Sequence, residues 1–465
     1  MNEVIEPVEI SLYELRKKIH PRAVHGWFAR WRWTVVWLTQ LVFYGLPWLT
    51  WNARPAVLFD LEARRFYLFG VILYPQDFIY LTGLLVIAAL SLFLFTAVAG
   101  RLWCGYACPQ TVYTEIFMWI ERKVEGDRNA RIKLDKAGFS GAKLRKRALK
   151  QGLWLALALW TGVTFVGYFT PIHTLLGEIA GLMLGPWETF WILFYGFATY
   201  GNAGYMREQV CKHMCPYARF QSAMFDKDTL VITYDAERGE PRGSRSRKAD
   251  PKLLGLGACI DCGICVEVCP TGIDIRKGLQ YECIGCAACV DGCDQVMDKM
   301  GYARGLIRYA TETGLKSHLT MRQIMRRVAR PRVLIYTTIL AALTVALFTH
   351  LALRVPLRVD VLRDRGMLGR EVENGQIENV YRLQIINGEE RARRFRIGVS
   401  GLDSIAVASE PEVDVDSAGT HLVAVRVRVP PNQGHPGSNK VMFQVEATDD
   451  ASVAVRENST FYVPR

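Results

Sequence analysis

The stretch 259–294, CIDCGICVEVCPTGIDIRKGLQYECIGCAACVDGCD, holds eight of the twelve cysteines in the 465-residue chain. They form two runs of the same spacing, Cys259-x2-Cys262-x2-Cys265-x3-Cys269-Pro270 and Cys283-x2-Cys286-x2-Cys289-x3-Cys293. Three thiolates at three-residue intervals on a tight loop can wrap three irons of an iron–sulfur cube. The fourth iron then takes its ligand from the other run. The spacing predicts one [4Fe-4S] cluster on Cys259, Cys262, Cys265 and Cys293, and a second on Cys283, Cys286, Cys289 and Cys269. Small residues at Gly263, Gly285, Ala287 and Ala288 let backbone amides approach the sulfurs. Zinc sites use two separated pairs rather than such quartets, and disulfides are disfavoured in a reducing compartment. Asp294 stands where many two-cluster ferredoxins carry proline.

The other four cysteines fall in two copies of one motif, Cys104-x3-Cys108-Pro109 and Cys211-x3-Cys215-Pro216. Positions i and i+4 share a helix face, and the proline turns the preceding cysteine out of helix, so each motif should lie at a helix break. Each follows an apolar run and precedes an amphipathic stretch, at 110–124 and 217–225. Four thiols can thus gather at one place. Thiolates select soft metals such as Cu(I), zinc or iron–sulfur centres, and such pairs can also cycle to disulfides. Met206, His213 and Met214 lie beside the second pair as further soft donors.

Five stretches free of lysine and arginine have the length to cross a bilayer, at 33–51, 78–100, 151–171, 187–205 and 333–353. Tryptophan and tyrosine crowd their ends, as at Trp33, Trp48, Trp51, Trp103 and Trp187. Half of all residues are hydrophobic, which excludes a disordered chain. The net charge of +12 is distributed as topology. The segment 1–32, the loop 101–150 and the segment 206–332 are rich in Lys and Arg, whereas 172–186 has none. By the positive-inside rule those three are cytoplasmic, and 354–465 lies outside. The basic run Lys143–Lys150 abuts an apolar stretch and lacks stacking motifs, so no nucleic-acid partner is expected. The first apolar run is too long and too late for a cleaved leader. His173, His350, Glu178 and Glu188 sit near span ends, and 66–75 is short enough to be a hairpin.

Beyond residue 354 the pattern changes to short alternating runs, at 380–386, 393–399, 421–429, 441–447 and 461–463. Gly, Pro, Asn and Asp separate them, as in an antiparallel β-sandwich. The expected architecture is a multi-domain membrane protein: a five-helix transmembrane bundle over 33–205 and 333–353, a cytoplasmic two-cluster ferredoxin-like insert at about 250–300, and a C-terminal immunoglobulin-like β-sandwich. Asn458-Ser459-Thr460 matches a glycosylation sequon, read as a plain surface loop. No Rossmann fingerprint, phosphate loop or CxxCH haem motif supports soluble nicotinamide or haem chemistry.

WCGYACPQT at 103–111, CKHMCPYARFQ at 211–221, RGEPRG at 238–243 and the 259–294 stretch together resemble the FixG/CcoG (RdxA) family of cytochrome c oxidase accessory proteins. The paired CxxxCP motifs are also similar to those of NapH/NosR-type membrane ferredoxins. The resemblance implies a bacterial inner-membrane protein that acts in assembly of cbb3-type oxidase. It implies reduction of Cu(II) to Cu(I), with Cys104, Cys108, Cys211 and Cys215 as redox or copper-binding residues. It further implies oxidase subunits, or a copper chaperone or transporter, as partners, and an electron donor left open. Two other roles fit the same motifs: an assembly scaffold that senses redox state, and an electron-transfer subunit of quinol dehydrogenase type.

Overall fold

The computed structural model describes residues 18–250, 253–364 and 369–464. The chain divides into two compact units. One gathers residues up to Gly45 with 88–166 and 183–340, and the other gathers 46–87, 167–182 and 341–465.

Three helices are long and apolar enough to cross a membrane: Pro75–Ala99, Gly141–Val166 and Pro331–Ala352. The other two expected spans are helical but differ. Helix α1 (Trp27–Gly45) starts before the expected boundary and takes in Arg30 and Arg32, so its charge-free part is short. α2 (Phe78–Ala99) matches the expected second span. α3 (Leu102–Tyr106), α4 (Pro109–Glu125) and α5 (Arg128–Lys136) follow in the basic loop. α6 (Gly141–Val166) begins ten residues before the expected third span, because Lys143–Lys150 continue its helix. α7 (Ile172–Ala180) is short, and α8 (Pro186–Thr199) gives way to a π-helical turn at Tyr200–Met206. Gly201, Asn202 and Gly204 are poor formers of regular α-helix, and such turns mark sites where the ladder is disturbed.

Within the first unit, α6 and α8 touch backbone to backbone. A Cβ placed on Gly162 would lie 2.3 Å from the Ile192 carbonyl oxygen, so only glycine permits this approach. Trp154 of α6 is fully buried, stacks on Phe117 of α4 at 5.3 Å and donates from Nε1 to the Phe117 carbonyl at 3.0 Å. One turn away the Glu121 side chain, only 1% exposed, meets Arg207 at 2.9 Å, Arg131 at 3.2 Å and Lys150 at 3.7 Å. Burial would raise the Glu121 carboxyl, but the three cations hold it below the ordinary carboxylate value. A lowered value stabilises the fold above the unfolded-state pKa, and the gain is lost as pH falls through the folded value. Glu121→Gln should therefore lower stability at neutral pH by about 3 kcal/mol, since it strands buried cations. The gap to wild type should close only below about pH 4. Thermal unfolding in detergent across pH measures both; a pH-independent gap would mean the charge is not what matters.

The second unit holds the expected sandwich. One sheet runs Ala406–Val407, Thr420–Val429, Ile377–Asn387, Leu357–Arg363, and the other Glu412–Val415, Arg393–Ser400, Gly437–Ala447, Ala454–Val463. All pairs are antiparallel. Alternate residues Val441, Phe443, Val445 and Ala447 point into a core shared with Tyr381, Phe395 and Phe461. Each of the five expected strands lies inside an observed one. The sequon is not a loop: Asn458 pairs with Met442 inside the last strand. Residues 66–75 belong to a three-stranded sheet of Val57–Asp60, Arg65–Leu68 and Val71–Leu73, with Tyr74 donating to the carbonyls of Asn387 and Ala418. In the same unit Asp77 is buried between Arg354 at 2.8 Å and Arg358 at 2.7 Å, and Tyr80 bonds His350 at 2.9 Å.

Candidate metal centre

The cysteine-rich part folds around a small apolar core. Strands Val231–Tyr234 and Ile307–Ala310 pair antiparallel. Ile232, Ile275, Val290, Met297 and Leu306 pack with Cys259 and Cys265. Helix Ile264–Glu267 carries Cys265, and helix Ala288–Met300 carries Cys289 and Cys293. These helices pack on one another, Gly292 meeting Ile264 and Val268. Each cysteine run is thereby folded back against the other.

The result is two cavities. Cys259, Cys262, Cys265 and Cys293 line one of them. Cys269, Cys283, Cys286 and Cys289 line the other, with Cys265 in the wall between. Each therefore has three thiols of one run and the fourth of the opposite run. Among the described residues no three His, Cys, Asp or Glu side chains converge on a point that would hold a single ion. A cube is held differently, since each thiolate binds a different iron and the sulfurs stand apart. Burial pushes the Cys265 thiol up to about 11 and Cys283 and Cys293 up to about 12. Thiolates form here only against compensating positive charge, which iron supplies. The Gly285 amide donates to Cys283 and the Ala288 amide to Cys286, the approach expected of small residues in these loops.

The CxxxCP thiols form a third group. Cys104 lies in α3, and Cys108 is the extended residue that starts α4, with Pro109 in its first turn. Cys211 lies in a π-helical turn, Val210–Met214, and Cys215 is the extended residue before helix Pro216–Phe220. Gln110, just after the first motif, donates to the carbonyls of Asn202 at 2.9 Å and Arg207 at 3.1 Å, in the segment that leads to the second. The four sulfurs lie within mutual electrostatic reach. Burial first, then neighbouring thiols, pushes Cys104 up to about 12 and Cys211 up to about 11. Cys108 is also raised by burial, against donation from the Gln110 and Thr111 amides at the start of α4. His213 and Met214 are exposed.

This group rests directly on the second cavity. Cys104 and Cys211 pack against the apolar cluster of Val268, Ile284, Cys286 and Ala288, and a Cβ on Gly105 would stand 2.8 Å from the Cys286 Cα. Gly105→Ala should force these loops apart, at a cost of about 1–3 kcal/mol. Iron release to a chelator under anaerobic conditions should then be faster than in wild type; an unchanged rate would show the contact to be slack.

Three arginines belong to these sites and carried no motif of their own. Arg32, 7% exposed, donates to the Cys286 carbonyl at 3.1 Å. Arg101, 5% exposed, donates to the Ala218 carbonyl and lies close enough to Cys104, Cys211 and Cys283 to favour their thiolates. Arg276, held by Asp274 at 2.8 Å, does the same for Cys265. In the sequence Arg32 and Arg101 are indistinguishable from the basic residues that set topology.

Three family models match. Residues 206–312 match a 4Fe-4S dicluster domain, 81–125 a 4Fe-4S binding domain, and 347–464 the IG-like fold at the C-terminus of FixG. Protein RdxA of Cereibacter sphaeroides is 40% identical over 435 residues, 90% of this chain and 91% of RdxA. The nitrogen fixation protein FixG of Rhizobium meliloti is 40% identical over 422 residues, covering 84% of this chain and 80% of FixG. The chain belongs to the FixG/RdxA family. As a FixG-family member it is an iron–sulfur electron-transfer protein with a 4Fe-4S dicluster domain, membrane-type helices and a C-terminal Ig-like domain. A more distant likeness, 24% over 204 residues, joins this FixG-family chain to the ferredoxin-type protein NapH of Haemophilus influenzae, over 40% of the chain and 66% of NapH.

Proposed function

We propose that the chain is a membrane-anchored reductase that converts Cu(II) to Cu(I) for assembly of a cbb3-type oxidase. The observation that carries this reading is the packing of Cys104 and Cys211, one thiol from each CxxxCP motif, against the apolar cluster that holds Cys286, beside the close approach of Gly105 to the Cys286 backbone. Cys259, Cys262, Cys265 and Cys293 hold cluster one, and Cys283, Cys286, Cys289 and Cys269 hold cluster two. When bound, the clusters supply electrons one at a time, matching the one-electron change from Cu(II) to Cu(I). Cys104, Cys108, Cys211 and Cys215 bind copper as thiolates and favour the Cu(I) product. Arg101 helps them lose their protons. With the five crossings of this reading, the basic segments 101–150 and 206–332 would face the cytoplasm and the β-sandwich the periplasm, where it would meet oxidase subunits or a copper chaperone or transporter.

A second reading puts a third iron–sulfur cluster on the four thiols. The 4Fe-4S binding model over 81–125 favours it, because Cys104 and Cys108 are the cysteines in that range. Metal analysis of anaerobically purified protein separates the two. Copper delivery predicts about eight irons per chain and copper retained only while the four thiols are intact. A third cluster predicts about twelve irons and no copper.

A further inference from the structure

A cavity of about 770 Å³ in the first unit has no part in the scheme above. Arg32, Trp33 and Trp37 of α1, Glu115 and Met118 of α4, and Ala288 line it. Ala288 also lines the cavity of Cys283, Cys286 and Cys289, so the two spaces share a wall residue. The volume suits a small organic ligand. Arg32 is nine-tenths buried; while its Nη1 serves the Cys286 carbonyl, its Nε has no hydrogen-bond partner. Such a donor asks for an acceptor oxygen from a ligand. The lining combines the arginines Arg22, Arg30 and Arg122 with the indoles of Trp33 and Trp37.

We infer that this cavity binds a membrane quinol, the electron donor of the protein; the inference rests on the iron–sulfur reading. The occupant must surrender electrons singly, next to a cluster. A nicotinamide transfers hydride and needs an intervening flavin. A quinol can give up its electrons one at a time, and its ring suits the indoles of Trp33 and Trp37 in the lining. Each quinol becomes a quinone by losing two electrons and two protons. One electron would go to each bound cluster. One proton goes to the Glu115 carboxylate and one to water. Arg32 Nε donates to a quinone oxygen, and Trp33 and Trp37 hold the ring.

The test uses full-length protein in lipid nanodiscs under anaerobic conditions. An azido-ubiquinone photolabel should mark residues 29–37 and 115–122, and menadione should compete. This readout does not depend on the clusters. Menadiol should bleach the cluster absorbance. Met118→Trp, or Thr34→Trp at the rim if the first variant folds poorly, should cut both labelling and the menadiol rate about tenfold, the factor for about 1.4 kcal/mol of binding. Dithionite should still reduce either variant fully. Glu115→Gln should leave labelling intact and slow menadiol alone. Labelling elsewhere, or a filled cavity that reacts at the wild-type rate, overturns the inference. If dithionite fails to reduce even wild type, the iron–sulfur reading falls while the labelling result still stands by itself.

Discussion

Cys293→Ala is expected to abolish cluster one and spare cluster two, although Cys293 is the last residue of the second cysteine run. The reason is the fold-back of the two helices, which brings Cys293 to the cavity of Cys259, Cys262 and Cys265. The mirror variant, Cys269→Ala, should spare cluster one and abolish cluster two, because Cys269 lines the opposite cavity. Each should retain about four irons per chain, half the full complement. Electron paramagnetic resonance of the dithionite-reduced proteins should show complementary signals whose sum reproduces wild type. If Cys293→Ala instead removed the cluster of its own run, the ligands would not cross and the cavities would have been misassigned.

The second large effect is expected at the CxxxCP group. Cys104→Ser with Cys108→Ser should keep about eight irons and a wild-type cluster spectrum, yet lose copper binding and Cu(II) reduction by a factor of at least about a hundred. Serine preserves size and removes the soft ligand. Cys211→Ser with Cys215→Ser should behave alike, because the four sulfurs form one group. A variant that lost both iron and reduction would instead point to a cluster on these thiols. A variant that reduced Cu(II) normally would remove them from the path.

Much of this was legible in residue spacing. The cysteine offsets encode which thiols can share a cavity, and the alternation in 441–447 encodes an inward face, because both are local periodicities of the backbone. Cys108-Pro109 and Cys215-Pro216 likewise place a helix start without further help. What was not legible depends on distant partners. Arg32 reads as a topology charge until the Cys286 carbonyl is seen to accept from it, and α1 begins before the expected span, where the distant Asp291 accepts from the Phe28 and Ala29 amides. The α8 boundary shifted because Gly201-Asn202-Ala203-Gly204 winds as a π-helical turn, which apolar composition does not reveal. Strand Leu357–Arg363 has good alternation, but it follows helix Pro331–Ala352 so closely that the apolar run hides its start. The seat of the CxxxCP group on the Cys286 loop has no sequence signal beyond Gly105, whose need appears only with its neighbour.

The most direct measurement is an anaerobic titration of the fully reduced wild-type protein with Cu(II), following cluster reoxidation and a Cu(I)-specific chelator together. One electron from each of two clusters should yield about two Cu(I) per chain, with the clusters reoxidised in step. Clusters that stay reduced while Cu(II) persists would contradict copper reduction by this chain.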